Sequence, residues 1–176
     1  MKRKMQRLLF YTLKFFVGLT AYIDSRLYMK LYNPILKTSG MNIIGSPRFI
    51  AKSARFDDFD LITIGDRCVI SSNVTFLTHD YSYTTGLIAV NEKPKTDIGI
   101  LGPIKIGDNV FIGLNSILLP GTSIGNNVIV GAGSVVRGPI ENNIVINGNP
   151  AIKVADIENH VNKLKQKDYL RRIDKR

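Results

Sequence analysis

IGDNVFIGLNSILLPGTSIGNNVIVGAGSVV, residues 106–136, returns an aliphatic side chain every sixth position: Ile106, Ile112, Leu118, Ile124, Val130 and Val136. Glycine often follows (Gly107, Gly113, Gly125, Gly131), and four places after each aliphatic residue stand mostly small or β-branched ones: Val110, Ser116, Thr122, Val128, Ser134 and Ile140. A period of six matches neither a helix at 3.6 nor a plain strand at 2. It matches a strand of two or three residues, a turn, and another such strand. Three sides then close a coil of about 18 residues. Coils stacked at strand spacing, about 4.8 Å, pair their backbones with the coils above and below, which is a parallel β-helix.

The polar positions support the same geometry. Asp108-Asn109 and Asn126-Asn127 lie 18 apart, so they are expected to stack on successive coils. Glycine at the second place is expected to supply the backbone freedom of a corner, and the small fifth residue to fit inside it. Upstream, Ile64, Ile70 and Phe76 keep the step, with Cys68 and Val74 as companions; Ile44, Ile50 and Phe56 extend it in looser form.

Between Asp80 and Pro103 the step fails, and the failure begins at FLTHDYSY, residues 76–83, which holds one of two histidines. A loop of this length without repeat is expected to cover a site. A positioned imidazole titrating near neutrality can take a proton from a hydroxyl nucleophile and contribute about 10²–10⁴-fold. Around it stand Asp80, Tyr81 and Tyr83, and FDDFD before Ile64 offers Asp57, Asp58 and Asp60. His160, in the charged tail, is read as solvated.

The chain of 176 residues carries a formal charge of +10, unevenly spread. Residues 1–40 hold eight basic side chains against Asp24 alone, and the tail from Lys153 onward holds eight against four acidic ones, so the body between is close to neutral. Basic ends on a neutral body suit an anionic surface or a phosphorylated small molecule. Nucleic acid is set aside because no recognition motif accompanies the charge. The apolar run Leu8–Ile23 has Lys14 at its middle and falls short of the roughly 20 residues that span a bilayer. It reads as an amphipathic helix that either caps the coil edge or lies on an anionic membrane through residues 1–23. A single cysteine, Cys68, excludes an intrachain disulfide and suits a reducing compartment. Ser134 is the small residue of its repeat, with neither a nucleophile elbow nor a phosphate loop around it. Zinc chemistry of the three-histidine kind is excluded by the histidine count.

The repeat and the later GNPA, residues 148–151, resemble the hexapeptide-repeat acyltransferases over about residues 44–152, and within them the maltose, galactoside and polysaccharide O-acetyltransferase branch. The resemblance implies an all-β fold: a left-handed parallel β-helix with a helical N-terminal cap and a helical C-terminal tail. The division it implies is residues 1–40 as cap, 41–154 as acyltransferase domain with the loop 80–103 inserted, and 155–176 as basic tail. It implies a cytoplasmic homotrimer using acetyl-CoA as co-substrate, without a metal, and His79 as the catalytic base. Coenzyme A contacts carried over by motif are Leu114, Ala132, Arg137 and Gly138, with Lys153 replacing a basic residue found after the proline motif in relatives. Acceptor contacts fall on Asp58 or Asp60, with Asp80 and Tyr81 at the loop base. The expected reaction is O-acetylation of a sugar hydroxyl of a surface polysaccharide or its precursor. N-acylation of an amino sugar is the alternative, and a non-catalytic membrane-associated scaffold the third reading.

Overall fold

The computed structural model describes residues 2–167 and 170, with the side chains from Lys4 onward. Short strands of two or three residues stack in parallel to make three flat faces. On the first face Ile43, Ile64, Ile106, Ile124 and Ile140 lie in register. On the second lie Ile50, Ile70, Ile112, Val130 and Ile146, and on the third Phe56, Phe76, Leu118 and Val136. These side chains meet on the prism axis and, apart from the half-buried Ile140, are buried. Each contributes roughly 1.5–3 kcal/mol on leaving water, and none could do so without its neighbours one coil away.

The six-residue step places the core, with two shifts. At the upstream end Ile43, and not Ile44, points inward; Ile44 is exposed. At the downstream end Ile140 becomes the inward residue of the first face, two positions earlier than the step predicts, so the last coil closes in 16 residues. The fifth-position residues Val110, Ser116, Thr122, Val128 and Ser134 are all buried, as are Cys68 and Val74.

The role expected for the second-position glycines is corrected. The left-handed backbone of the first corner falls instead on Arg67, Asn109, Asn127 and Asn143, with φ of 53–61°. Gly113 is needed for close approach: a Cβ there would come within 2.5 Å of the backbone nitrogen of Ala132 on the next coil. The first-corner polar residues stack as expected, Asn109 Nδ2 donating to Asn127 Oδ1 at 2.9 Å and Asn127 Nδ2 to Asn143 Oδ1 at 2.8 Å.

An all-β description fits the prism and not the chain, which also has four described α-helices. Helices α1 (Lys2–Thr20) and α2 (Ser25–Thr38) sit on the first coil. Asp24 starts α2 by accepting from the backbone of Arg26 and Leu27. Ile50 turns one N–H and one C=O away from the stack, where an open edge would leave them unpaired. Met29 Sδ accepts from that N–H at 3.2 Å, and Tyr28 Oη donates to that carbonyl at 2.9 Å. From α1, Lys14 Nζ donates to the Ala54 carbonyl at 2.8 Å. Burial lowers the Lys14 pKa to about 8.

The insertion is ordered. Ile64 pairs with Ile106, 42 positions on where 18 would close a coil, so 24 residues are extra. They form helix α3 (Ser82–Ala89) and an antiparallel pair joining His79–Asp80 to Ile100–Leu101. At the far end Ala151–Asp156 folds back antiparallel on Ile144–Gly148, a strand where a helical tail was expected to begin. Helix α4 (Ile157–Lys165) follows. The rest of the helical tail expected to 176 lies, apart from residues 166, 167 and 170, outside the described residues.

Candidate active site

After Phe76 the chain reaches the third corner. Thr78 is fully buried there, and its hydroxyl donates to Asp58 Oδ2 at 2.9 Å while accepting from the Asp58 N–H at 3.1 Å. This reciprocal pair fixes the FDDFD turn against the coil above. His79 Nδ1 lies 3.0 Å from the same Asp58 Oδ2 and 3.8 Å from Asp57 Oδ2. Arg7, from α1, reaches over the turn: its Nη2 donates to the Asp57 carbonyl at 2.5 Å and stands 3.4 Å from Asp58 Oδ1. Burial alone would push the Asp58 carboxyl up. The hydrogen bonds from Thr78 and His79, with the charges of His79 and Arg7, outweigh it and hold the group below the usual carboxylate range. Asp58 is therefore an anion bound to an imidazole.

The His79 side chain keeps 31% of its surface exposed and lines a pocket of about 290 Å³ with Asp58, Asp60, Leu61, Tyr81 and Leu101. Tyr81 meets the imidazole edge-on at 5.4 Å between ring centres. With Nδ1 given to Asp58, Nε2 is the nitrogen left for proton transfer. Chemically such an arrangement, an imidazole oriented by a carboxylate beside a cleft, has the parts that a general base needs.

Each residue singled out from the sequence has a definite place. Asp60 and Tyr81 line the His79 pocket. Asp80 does not serve it in the same way, because its Oδ1 accepts the Ser82 N–H at 2.7 Å and starts α3. Leu114 and Ala132 stack at the second corner, where the Leu114 carbonyl accepts from Gly133 N at 2.7 Å. Arg137 and Gly138 lie past Val136 at the third corner, the one that carries His79. Lys153 is on the terminal hairpin, 2.7 Å from Asp156 Oδ1. Within one chain the expected coenzyme contacts thus fall on two different corners and, for Lys153, on the terminal hairpin. Among the described residues no group of three His, Cys, Asp or Glu side chains is placed to hold a metal ion.

Two participants were missed in the sequence. Thr78 adjoins His79 and its hydroxyl at a corner was a visible signal. Arg7 was not findable, because it lies 51 positions from its partner on a helix with no periodic link to the coils.

Residues 103–137 match the hexapeptide repeat of succinyl-transferase. Protein CapG of Staphylococcus aureus is 46% identical over 115 residues, covering 65% of this chain and 64% of CapG. WbbJ of Escherichia coli (strain K12), provisionally named a lipopolysaccharide biosynthesis O-acetyl transferase, is 39% identical over 109 residues, covering 60% of this chain and 55% of WbbJ. The chain thus spans a little over half to just under two thirds of these relatives. A galactoside acetyltransferase solved in complex with coenzyme A superposes with a TM-score of 0.66 at 23% identity, covering 97% of this chain and 90% of that one. The repeat, the stacked coils and these relatives agree: the chain carries the hexapeptide repeat and the fold of the hexapeptide-repeat acetyltransferases, and it is similar to that family.

Proposed function

We propose that this chain is an acetyl-CoA-dependent O-acetyltransferase that acylates a sugar hydroxyl of a surface polysaccharide or its precursor, with His79 as general base. The observation that carries the reading is the Asp58–His79 pair at 3.0 Å on the wall of a pocket. His79 Nε2 takes the hydroxyl proton as the sugar oxygen attacks the thioester carbonyl, and a tetrahedral oxyanion forms. Its collapse breaks the C–S bond, and the imidazolium returns the proton to the departing thiolate. Asp58 orients the ring and stabilises the imidazolium in between, the role of the third member of a triad.

The surface-glycan acceptor is supported by the name that WbbJ carries. The coenzyme is supported by the galactoside acetyltransferase that shares the fold. We place acetyl-CoA in a groove between adjacent copies of a left-handed homotrimer. Leu114 and Ala132 of one copy would face Arg137, Gly138 and Lys153 of the next, which gives these separated groups one ligand. Asp60 and Tyr81 would contact the acceptor.

The test is thiol release from acetyl-CoA with matched hydroxyl and amino sugars, for the wild-type protein and His79→Ala. Release with hydroxyl sugars, lost in the variant, supports the reading. Release with the amino sugar alone moves the assignment to N-acylation, and equal release by the variant removes His79 as base.

A peripheral membrane contact on the cytoplasmic face is a second element, favoured by α1. Leu8, Leu9, Phe15, Phe16 and Leu19 are exposed along it, followed by Tyr22 and Ile23. Among the described residues no helix is long and apolar enough to cross a membrane. Because Arg7 and Lys14 also close the coil edge, substitution is the cleaner test than deletion. Phe15→Glu with Phe16→Glu should abolish sedimentation with anionic vesicles, and undiminished sedimentation rejects the contact.

A further inference from the structure

Beside the His79 pocket, and sharing Asp58 and Asp60 with it, is a second cavity of about 380 Å³. Its other walls come from the first turns of α1 (Lys4, Gln6, Arg7) and from Ser39 at the end of α2. We infer that this cavity is a second sugar subsite, so that the acceptor is an oligosaccharide of at least two rings. The acetylated ring sits by His79 and its neighbour sits between α1 and the Asp58–Asp60 turn. The identity of the first ring's site rests on the acetyltransferase reading above; the second compartment does not.

The lining selects the ligand class. One wall presents carboxylates, Asp58 and Asp60; the facing wall presents an ammonium, an amide and a guanidinium. A phosphate or carboxylate ligand would meet the two aspartates, and a cationic ligand would meet Lys4 and Arg7. A neutral ring bearing several hydroxyls satisfies both walls, since each hydroxyl donates once and accepts twice. Asp58 has acceptor capacity to spare: among the described residues its Oδ1 meets Arg7 alone, at a long 3.4 Å. The Ser39 hydroxyl donates its hydrogen to the Leu36 carbonyl at 2.6 Å, which leaves its lone pairs to accept.

The partition between the compartments is rigid, because Thr78 and His79 hold Asp58 from one side and Arg7 holds Asp57 and Asp58 from the other. A ligand therefore bridges the two spaces across a fixed ridge. Each cavity lies near the small end of ligand sites, about 300–1,000 Å³, which suits one ring apiece.

The experiment compares chain length directly, with glucose, maltose and maltotriose in one series and N-acetylglucosamine with its β-1,4-linked dimer and trimer in the other. Calorimetric binding is measured on the full chain carrying His79→Ala, and on the same chain with Gln6→Trp, which fills the cavity, or Lys4→Ala. Transfer rates are measured in parallel on the His79 protein with and without these changes. In at least one series the dimer should bind about tenfold or more tighter than the monomer, and Gln6→Trp should bring that ratio close to one. A dimer no better than its monomer in both series, or a length preference that survives Gln6→Trp and Lys4→Ala, overturns the subsite. A length preference erased by Gln6→Trp in a protein that transfers no acetyl group upholds the subsite while sinking the acetyltransferase reading.

Discussion

At the first corner of successive coils, Asp66, Asp108, Asn126 and Asn142 each turn a side-chain oxygen onto the backbone N–H of the coil before, at 2.6–2.8 Å. At the third corner Asp58 accepts from side chains instead: Thr78, His79 and, at longer range, Arg7. The residue types are alike, and the difference lies in what each oxygen meets. In the ladder each residue spends one oxygen on a neighbouring backbone group, so the corner is repetitive and exposed. Asp58 lies on the first coil, with no coil before it to offer a backbone N–H, and its oxygens meet side chains of the coil that follows. The carboxylate then pairs with a titratable ring beside open space. A regular stack silences its polar residues, whereas beside the interruption a carboxylate is left to pair with an imidazole.

The largest expected effect is at the interrupted corner. His79→Ala should lower kcat/KM for acetyl transfer by about 10²–10⁴-fold, with a thermal midpoint close to wild type; a variant retaining more than a tenth of the activity breaks the comparison. The regular part should answer in stability. Gly113→Ala drives a Cβ to 2.5 Å from the Ala132 nitrogen, and overpacking of this kind costs roughly 1–3 kcal/mol, read as a lowered denaturant midpoint. A midpoint unchanged from wild type would mean that the coils can slide apart.

Asp58→Asn tests the pairing itself. Losing a charge-assisted hydrogen bond of roughly 1.5–3 kcal/mol should slow transfer by about one to two decades. It should also leave a pH signature. The folded carboxyl lies below its ordinary value of 3.8, so wild type binds fewer protons folded than unfolded. Its stability advantage over Asp58→Asn is then full above that value and disappears as the pH falls through the depressed folded range. A pH-independent difference would assign the loss to packing. The smallest effect is expected in the ladder: Asn126→Ala removes the acceptor for Asp108 N–H and should cost about 1 kcal/mol with kcat/KM unaltered. A large activity loss there would sink the division between silent and reactive corners.

How far the sequence could be read follows the same division. Ile106 to Val136 announced their own neighbours, because every inward residue repeats a constraint set one coil away. At the ends the constraint is one-sided. Ile43 displaced Ile44, and Ile140 came inward early, where a cap or a hairpin replaces one neighbouring coil. The second-position glycines were found for the wrong reason, since a period marks where a residue type recurs and does not say whether φ or contact demands it. His79 was legible as the residue at the break. Asp58 was noticed only as an acceptor contact, and its attachment to Nδ1 needed coordinates.

By itself, the order of residues determined the three-sided stack, its core, its polar first corner and the position of the interruption. All of these are short-range periodic effects that each coil imposes on the next. Only the tertiary structure decided that Arg7 reaches Asp58, that α2 satisfies Ile50, that the insertion folds into α3, and that two cavities share one acidic ridge. Those contacts join segments with no common period. Their distances depend on how helices of fixed shape settle on an open edge, which local spacing does not encode.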